Sequence, residues 1–149
     1  MTSQVLQRAY YESERHYQEQ RIEQSSPLEL TCILYEGAIQ GVEQAQSFLK
    51  RGDIMARGRA IARTQAILVE LMESLDRSRG GEIANRLGLL YDYMLGKLGE
   101  AHRHQSQEPL VEVQHLLTQL HSAWQQIKPD QAAHPASATQ VDARIDCNV

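Results

Sequence analysis

The stretch SSPLELTCILYEGAIQGVEQAQSFLKRGD, residues 25–53, decides the fold. Ser26 can cap a helix, and Pro27 suits the first helical position, where its missing N–H is not needed. Glu29, three residues after the cap, completes a capping box. Leu30, Leu34, Gly37, Ala38, Gly41, Ala45 and Phe48 then recur at helical spacing. Gly52 stops the helix and Asp53 can cap the next. A second apolar line runs beside the first: Leu28, Cys32, Tyr35, Ile39 and Val42. A bundle helix uses about three apolar positions in seven. This helix has more, and the second line is expected to form an outer face.

The pattern continues downstream. Ile61, Leu68, Met72 and Leu75 stripe a helix expected from about Ile54 to Ser78, ended by Gly80-Gly81. Ile83, Leu87, Leu90, Tyr91, Met94, Leu98 and Ala101 stripe a third, starting near Glu82 and fraying in HRHQSQ. Val113, Leu116, Leu117, Leu120, Trp124 and Ile127 stripe a fourth, between Pro109 and Pro129. Four helices with short links predict an all-α, antiparallel four-helix bundle over 26–128. Residues 1–25 form an N-terminal segment in which Val5, Leu6, Ala9 and Tyr10 favour one short helix. The small, polar stretch 129–149 reads as a disordered tail. In GLLYDYM, residues 88–94, Tyr91 continues the core stripe and Tyr93 does not, so Tyr93 points elsewhere.

Composition narrows the function. A net charge of −4 with mixed signs gives no nucleic-acid stripe. No apolar run approaches the ~18 residues of a membrane span, and no signal core opens the chain. Cys32 and Cys147 fit reduced thiols in a cytosol. One Glu-x-x-His spacing, Glu112 to His115, lies on a bundle helix, but His115 is turned about 200° from Val113 and faces water. His102-x-His104 lacks helical ligand spacing and suits a frayed helix end. No metal or other cofactor is called for. A histidine phosphotransfer or adaptor bundle is the alternative, with His115 or His121 exposed, yet neither is followed by a cation to hold a phosphoryl group. Nothing beside Cys32 would activate it as a nucleophile, so the chain does not read as an enzyme.

Six glycines, Gly37, Gly41, Gly58, Gly88, Gly96 and Gly99, fall inside expected helices. Each costs roughly 0.5–1 kcal/mol relative to alanine. Close helix packing or a shallow surface for a partner helix would offset that.

The segments SSPLEL and LYEGAI, then LKRGDIMARGRAI, GGEIANRLGLLYDYM and AWQQIKP resemble, in order, the flagellar export chaperones of the FliS family. The resemblance covers about residues 16–128. It departs at Leu95-Gly96-Lys97 and at His102-Arg103-His104. It implies a cytoplasmic bundle whose partner is the C-terminal segment of flagellin, held as a helix so that it does not polymerise before export. The export gate is the second implied partner. It further implies an N-terminal segment that covers the binding groove, with Tyr17 and Ile22 at its aromatic and aliphatic positions. Leu28, Cys32, Tyr35, Ile39, Val42 and Tyr93 are the expected client-facing positions, in a monomer or weak homodimer with no nucleic-acid partner and no membrane insertion.

Overall fold

The computed structural model describes residues 2–23 and 25–127. Among these described residues five helices follow in order: α1 (Thr2–Glu23), α2 (Pro27–Arg51), α3 (Ile54–Glu73), α4 (Arg77–His104) and α5 (Glu108–Gln125). The links between α2 and α5 are short, so consecutive helices run antiparallel. They close a ring in which α2 packs on α3 and α5, and α4 packs on the same two. The expectations for 129–149, including Cys147, lie outside the described residues.

The opening stretch folds as its sequence requires. The Ser26 hydroxyl accepts the Glu29 N–H, and Pro27 begins α2. Gly52 ends it with φ +74°, a left-handed conformation that favours glycine, while its N–H returns to the last turn. Asp53 then accepts the Ala56 N–H and starts α3.

The next boundary falls earlier than the glycine pair suggests. Helix α3 stops at Glu73, and the Asp76 carboxylate accepts the N–H groups of Ser78 and Arg79. That cap begins α4 before Gly80-Gly81. Gly81, at φ +51°, supplies a kink inside α4 rather than a helix end.

Helix α1 runs 22 residues, longer than its four apolar positions indicated. The i,i+4 pairs Arg8–Glu12 and Arg15–Glu19, at 3.2 and 3.3 Å, line one side of it. Its described side chains are exposed along its length.

The core joins Tyr35, Ala38, Val42, Leu68, Leu71, Tyr91, Met94, Leu98, Leu110, Val113 and Leu117. Here one expectation is corrected. Leu28, Tyr35 and Val42 are buried, with Tyr35 and Val42 at 0% exposure, while Leu30, Leu34 and Phe48 of the first stripe are only half-buried. The reason is the ring. Helix α2 has two neighbours and therefore two packed seams. One faces α3, where a Cβ on Gly41 would lie 2.1 Å from Thr64 Oγ1. The other faces α5, where Tyr35 meets Trp124. The second apolar line is mostly that second seam, not an outer face.

The helical glycines divide in the same physical terms. Gly41 permits the close approach to α3, whereas a Cβ on Gly96 would meet nothing within 4 Å. Gly96→Ala is therefore expected to stabilise the bundle by about 0.5–1 kcal/mol, read as a raised urea midpoint with an unchanged slope. A loss of stability would show that α4 needs the glycine at that turn.

Candidate functional site

Helix α2 begins where α5 ends, and the described chain stops just beyond, at Ile127. Between them opens a cavity of about 650 Å³. Leu28, Cys32 and Ile33 of α2 line one wall, and Trp124, Gln125 and Ile127 line the other. Arg21 and Ser25 stand at its edge, with Glu29 beside them. Most of these side chains are apolar, and the polar groups sit around them. Such a furrow suits the apolar face of a helix flanked by polar side chains.

The floor is held by a buried polar trio. The Trp124 indole N–H donates to the Tyr35 hydroxyl at 3.0 Å, and the Tyr35 and Tyr91 hydroxyls share a hydrogen bond. The rings of Tyr35 and Tyr91 lie 6.5 Å apart, tilted by 50°. Three helices, α2, α4 and α5, are thereby tied at one point. Trp124 reaches both the cavity and the trio, so the wall of the furrow is fixed from below.

Burial pushes the Tyr35 hydroxyl far above its ordinary value, with the charge and hydrogen bond of the neighbouring Tyr91 hydroxyl as the next causes. Burial also raises Tyr91, against a smaller opposing effect from the Tyr35 hydrogen bond. Below pH about 10 both phenols stay protonated whether the chain is folded or not. Above it the unfolded chain releases protons that the fold keeps, so stability falls as pH rises, by about 1.4 kcal/mol per pH unit for each retained proton. The urea midpoint is expected to drop more steeply above pH 10 in the wild type than in Tyr35→Phe/Tyr91→Phe. Parallel curves would mean that neither hydroxyl is sealed from water.

Burial, followed by the carboxylates of Glu36 and Glu29, raises the Cys32 thiol. That is the reverse of an activated nucleophile.

The residues singled out in the sequence are thus only partly gathered. Leu28 and Cys32 line the cavity. Tyr35 lies beneath it, holding Trp124. Val42 is in the core further along, and Ile39 is half-buried against that core. Tyr93 is 45% exposed, as its position off the α4 stripe requires. It sits elsewhere, donating its hydroxyl to Glu112 near the start of α5, with Lys97 5.5 Å above its ring. The Glu112 hydrogen bond raises the Tyr93 phenol. Tyr17 and Ile22 are 65% and 46% exposed, so in this conformation neither closes over the cavity.

Three wall residues escaped the sequence reading. Trp124 and Ile127 were assigned to the core stripe of the last helix, and Ile33 lies off both lines of α2. For Trp124 and Ile127 their position near Pro129, at the end of that stripe, was the available signal; Ile33 had none.

The histidines also find places. His115 is exposed. His121 is not: its Nε2 is shielded from solvent, 3.6 Å from Glu36 Oε1. His102 is no frayed end. Its Nδ1 accepts from Arg57 Nε at 3.2 Å, and its carbonyl lies 3.4 Å from Arg57 Nη2. Arg57 is 2% exposed, so its charge rests against the C-terminal turn of α4, where a cation is favoured. Among the described residues no helix is long and apolar enough to cross a membrane.

The chain matches the family model described as flagellar protein FliS over residues 9–131. It is 37% identical over 112 residues to the flagellar secretion chaperone FliS of Salmonella typhimurium, covering 74% of this chain and 83% of that protein. It is 34% identical over 106 residues to the flagellar secretion chaperone FliSB of Pseudomonas aeruginosa, covering 71% and 84%. With FliS of Bacillus subtilis it shares 29% identity over 110 residues, covering 74% and 81%. An all-helical ring, an apolar furrow at the meeting of α2 and α5, and a match spanning most of the sequence agree: the chain belongs to the FliS family of flagellar secretion chaperones.

Proposed function

We propose that the chain binds the C-terminal segment of flagellin in the cytoplasm, keeps it from polymerising, and passes it to the export apparatus. The α2–α5 cavity, with Leu28, Cys32, Ile33, Trp124 and Ile127 on its walls, is the observation that carries this reading. A segment that is unstructured when free gains its binding energy by folding its apolar side into that furrow. Ordering such a segment costs about 2–5 kcal/mol, and burial of about 1,000–3,000 Å² offsets it. The affinity that remains is firm but reversible, as hand-over to a gate requires. Helix α1, with Tyr17 and Ile22, is the movable cover. No cofactor takes part and no bond is made or broken, in keeping with the raised Cys32 thiol.

Calorimetric titration of the full chain with a peptide from the C-terminus of the host's flagellin tests the reading. Saturable binding, a negative heat-capacity change and a gain in far-UV helical signal are expected. No heat and no added helix at high peptide concentration would refute it.

A further inference from the structure

The outer side of the α2–α3 pair carries charge that the fold does not neutralise. In a chain of net charge −4, residues 44–69 hold Lys50, Arg51, Arg57, Arg59 and Arg63 against one carboxylate, Asp53. Asp53 caps α3, and Arg57 is buried against the C-terminal turn of α4. No acid stands in the first turn of α3, where one would be favoured. Arg51, Arg59 and Arg63 are exposed, and among the described residues none of them forms an ion pair. Two of them are nevertheless held in place. Arg63 Nη2 donates to the side-chain oxygen of Gln44 on α2, and the Arg51 guanidinium lies 5.8 Å over the Phe48 ring. Both partners fix a cation without cancelling its charge. Between the two helices runs a trough of about 310 Å³, lined by Gln44, Phe48, Ala56, Arg59, Ala60 and Arg63. Ala56 and Ala60 give it a small apolar floor. It opens toward the C-terminal end of α2, whereas the α2–α5 furrow opens at the N-terminal end.

We propose that this trough is a docking site for a short acidic helix of a second protein, distinct from the client seat. Arg59 and Arg63 are one turn apart, so they match two carboxylates one turn apart on an incoming helix. Guanidinium–carboxylate pairing is the strong form of such a contact. The alanine floor lets a helix with small side chains approach closely, as a helix laid in a groove does. Guanidiniums already held in position lose little freedom on binding. The patch is also bounded. Glu70 and Glu73, both exposed, follow Arg59 and Arg63 on the same face of α3 at about 100° per residue. A nucleic acid, charged along its whole length, would run onto those carboxylates. An acidic segment of about two turns ends before them. The inference stands without the client reading, because no residue of the furrow takes part.

The test is fluorescence anisotropy of a labelled synthetic helical peptide titrated with the full chain. The peptide carries a pair of glutamates one turn apart beside an alanine stripe. A rearranged peptide of the same composition places the glutamates on opposite sides. The wild type is expected to bind the first peptide saturably, and more weakly as salt rises. Arg59→Gln/Arg63→Gln should weaken that binding about four- to 25-fold, at about two- to fivefold for each exposed pair. Arg15→Gln/Arg86→Gln removes the same charge from exposed pairs within α1 and α4, and should bind as the wild type does. The rearranged peptide should bind the wild type no better than the first peptide binds the Arg59/Arg63 variant. No binding of the first peptide at low salt would overturn the proposal. Equal weakening in the two double variants, or equal binding of the two peptides, would overturn it in favour of general charge attraction. A single-stranded oligonucleotide or a phosphatidylglycerol vesicle that binds more tightly than the peptide, and is lost in the Arg59/Arg63 variant, would overturn the protein partner. The flagellin peptide should leave the acidic peptide in place. Displacement would make the trough part of the client seat and overturn a separate partner.

Discussion

Tyr35→Ala is expected to remove about 3–5 kcal/mol of stability, the range of buried aromatic truncations. The ring is at 0% exposure in the middle of the core, so its loss leaves a cavity that three helices cannot close together. The hydroxyl goes as well, and the Trp124 indole and Tyr91 hydroxyl lose their shared partner in a buried setting. Bundles of this size hold about 5–15 kcal/mol in all, so the variant should be near its unfolding midpoint in mild urea. Tyr35→Phe separates the two effects: it keeps the ring and should cost about 1–3 kcal/mol, the range for stranding a buried donor. Urea unfolding followed by far-UV dichroism and by Trp124 fluorescence reads both. A loss below about 1 kcal/mol in Tyr35→Ala would place the ring outside the core and break the account of α2 as a helix with two packed seams.

Cys32→Asp is expected to weaken binding of the flagellin C-terminal peptide at least ~30-fold while leaving the bundle folded. The thiol is half-exposed on the furrow wall, so the free protein can hydrate the new carboxylate. A seated helix would strip that water, and a buried charge without a partner is strongly unfavourable. Glu29 and Glu36 already press negative charge on the site. A 30-fold loss corresponds to about 2 kcal/mol. Met55→Asp, at an exposed residue of α3, is the control and should bind as the wild type does. Equal affinities for both variants would place the client elsewhere on the bundle.

Much of this architecture is legible in the sequence because caps and periodicity are local. Ser26-Pro27, Gly52-Asp53 and the stripes of α4 and α5 depend on neighbours a few residues away. The α3–α4 boundary was misjudged because Asp76 captured the N–H groups of Ser78 and Arg79 before the glycine pair was reached. The furrow was half legible. Apolar surplus on α2 was visible, but dividing it between a second neighbour and an opening requires knowing that α5 lies alongside. Leu28 and Cys32 fell on the open part, while Tyr35 and Val42 fell on the packed part. Periodicity ranks residues around a helix. It does not say how many helices stand beside it.

The contact between Tyr35 and Trp124 joins residues 89 positions apart. It fastens the first and last members of the ring, so it cannot form until α5 has left the ribosome. A nascent chain paused before Glu108 carries the oily side of α2 bare. For that interval the protein that shelters others is itself an unsheltered chain, and the arrival of α5 is what ends the exposure.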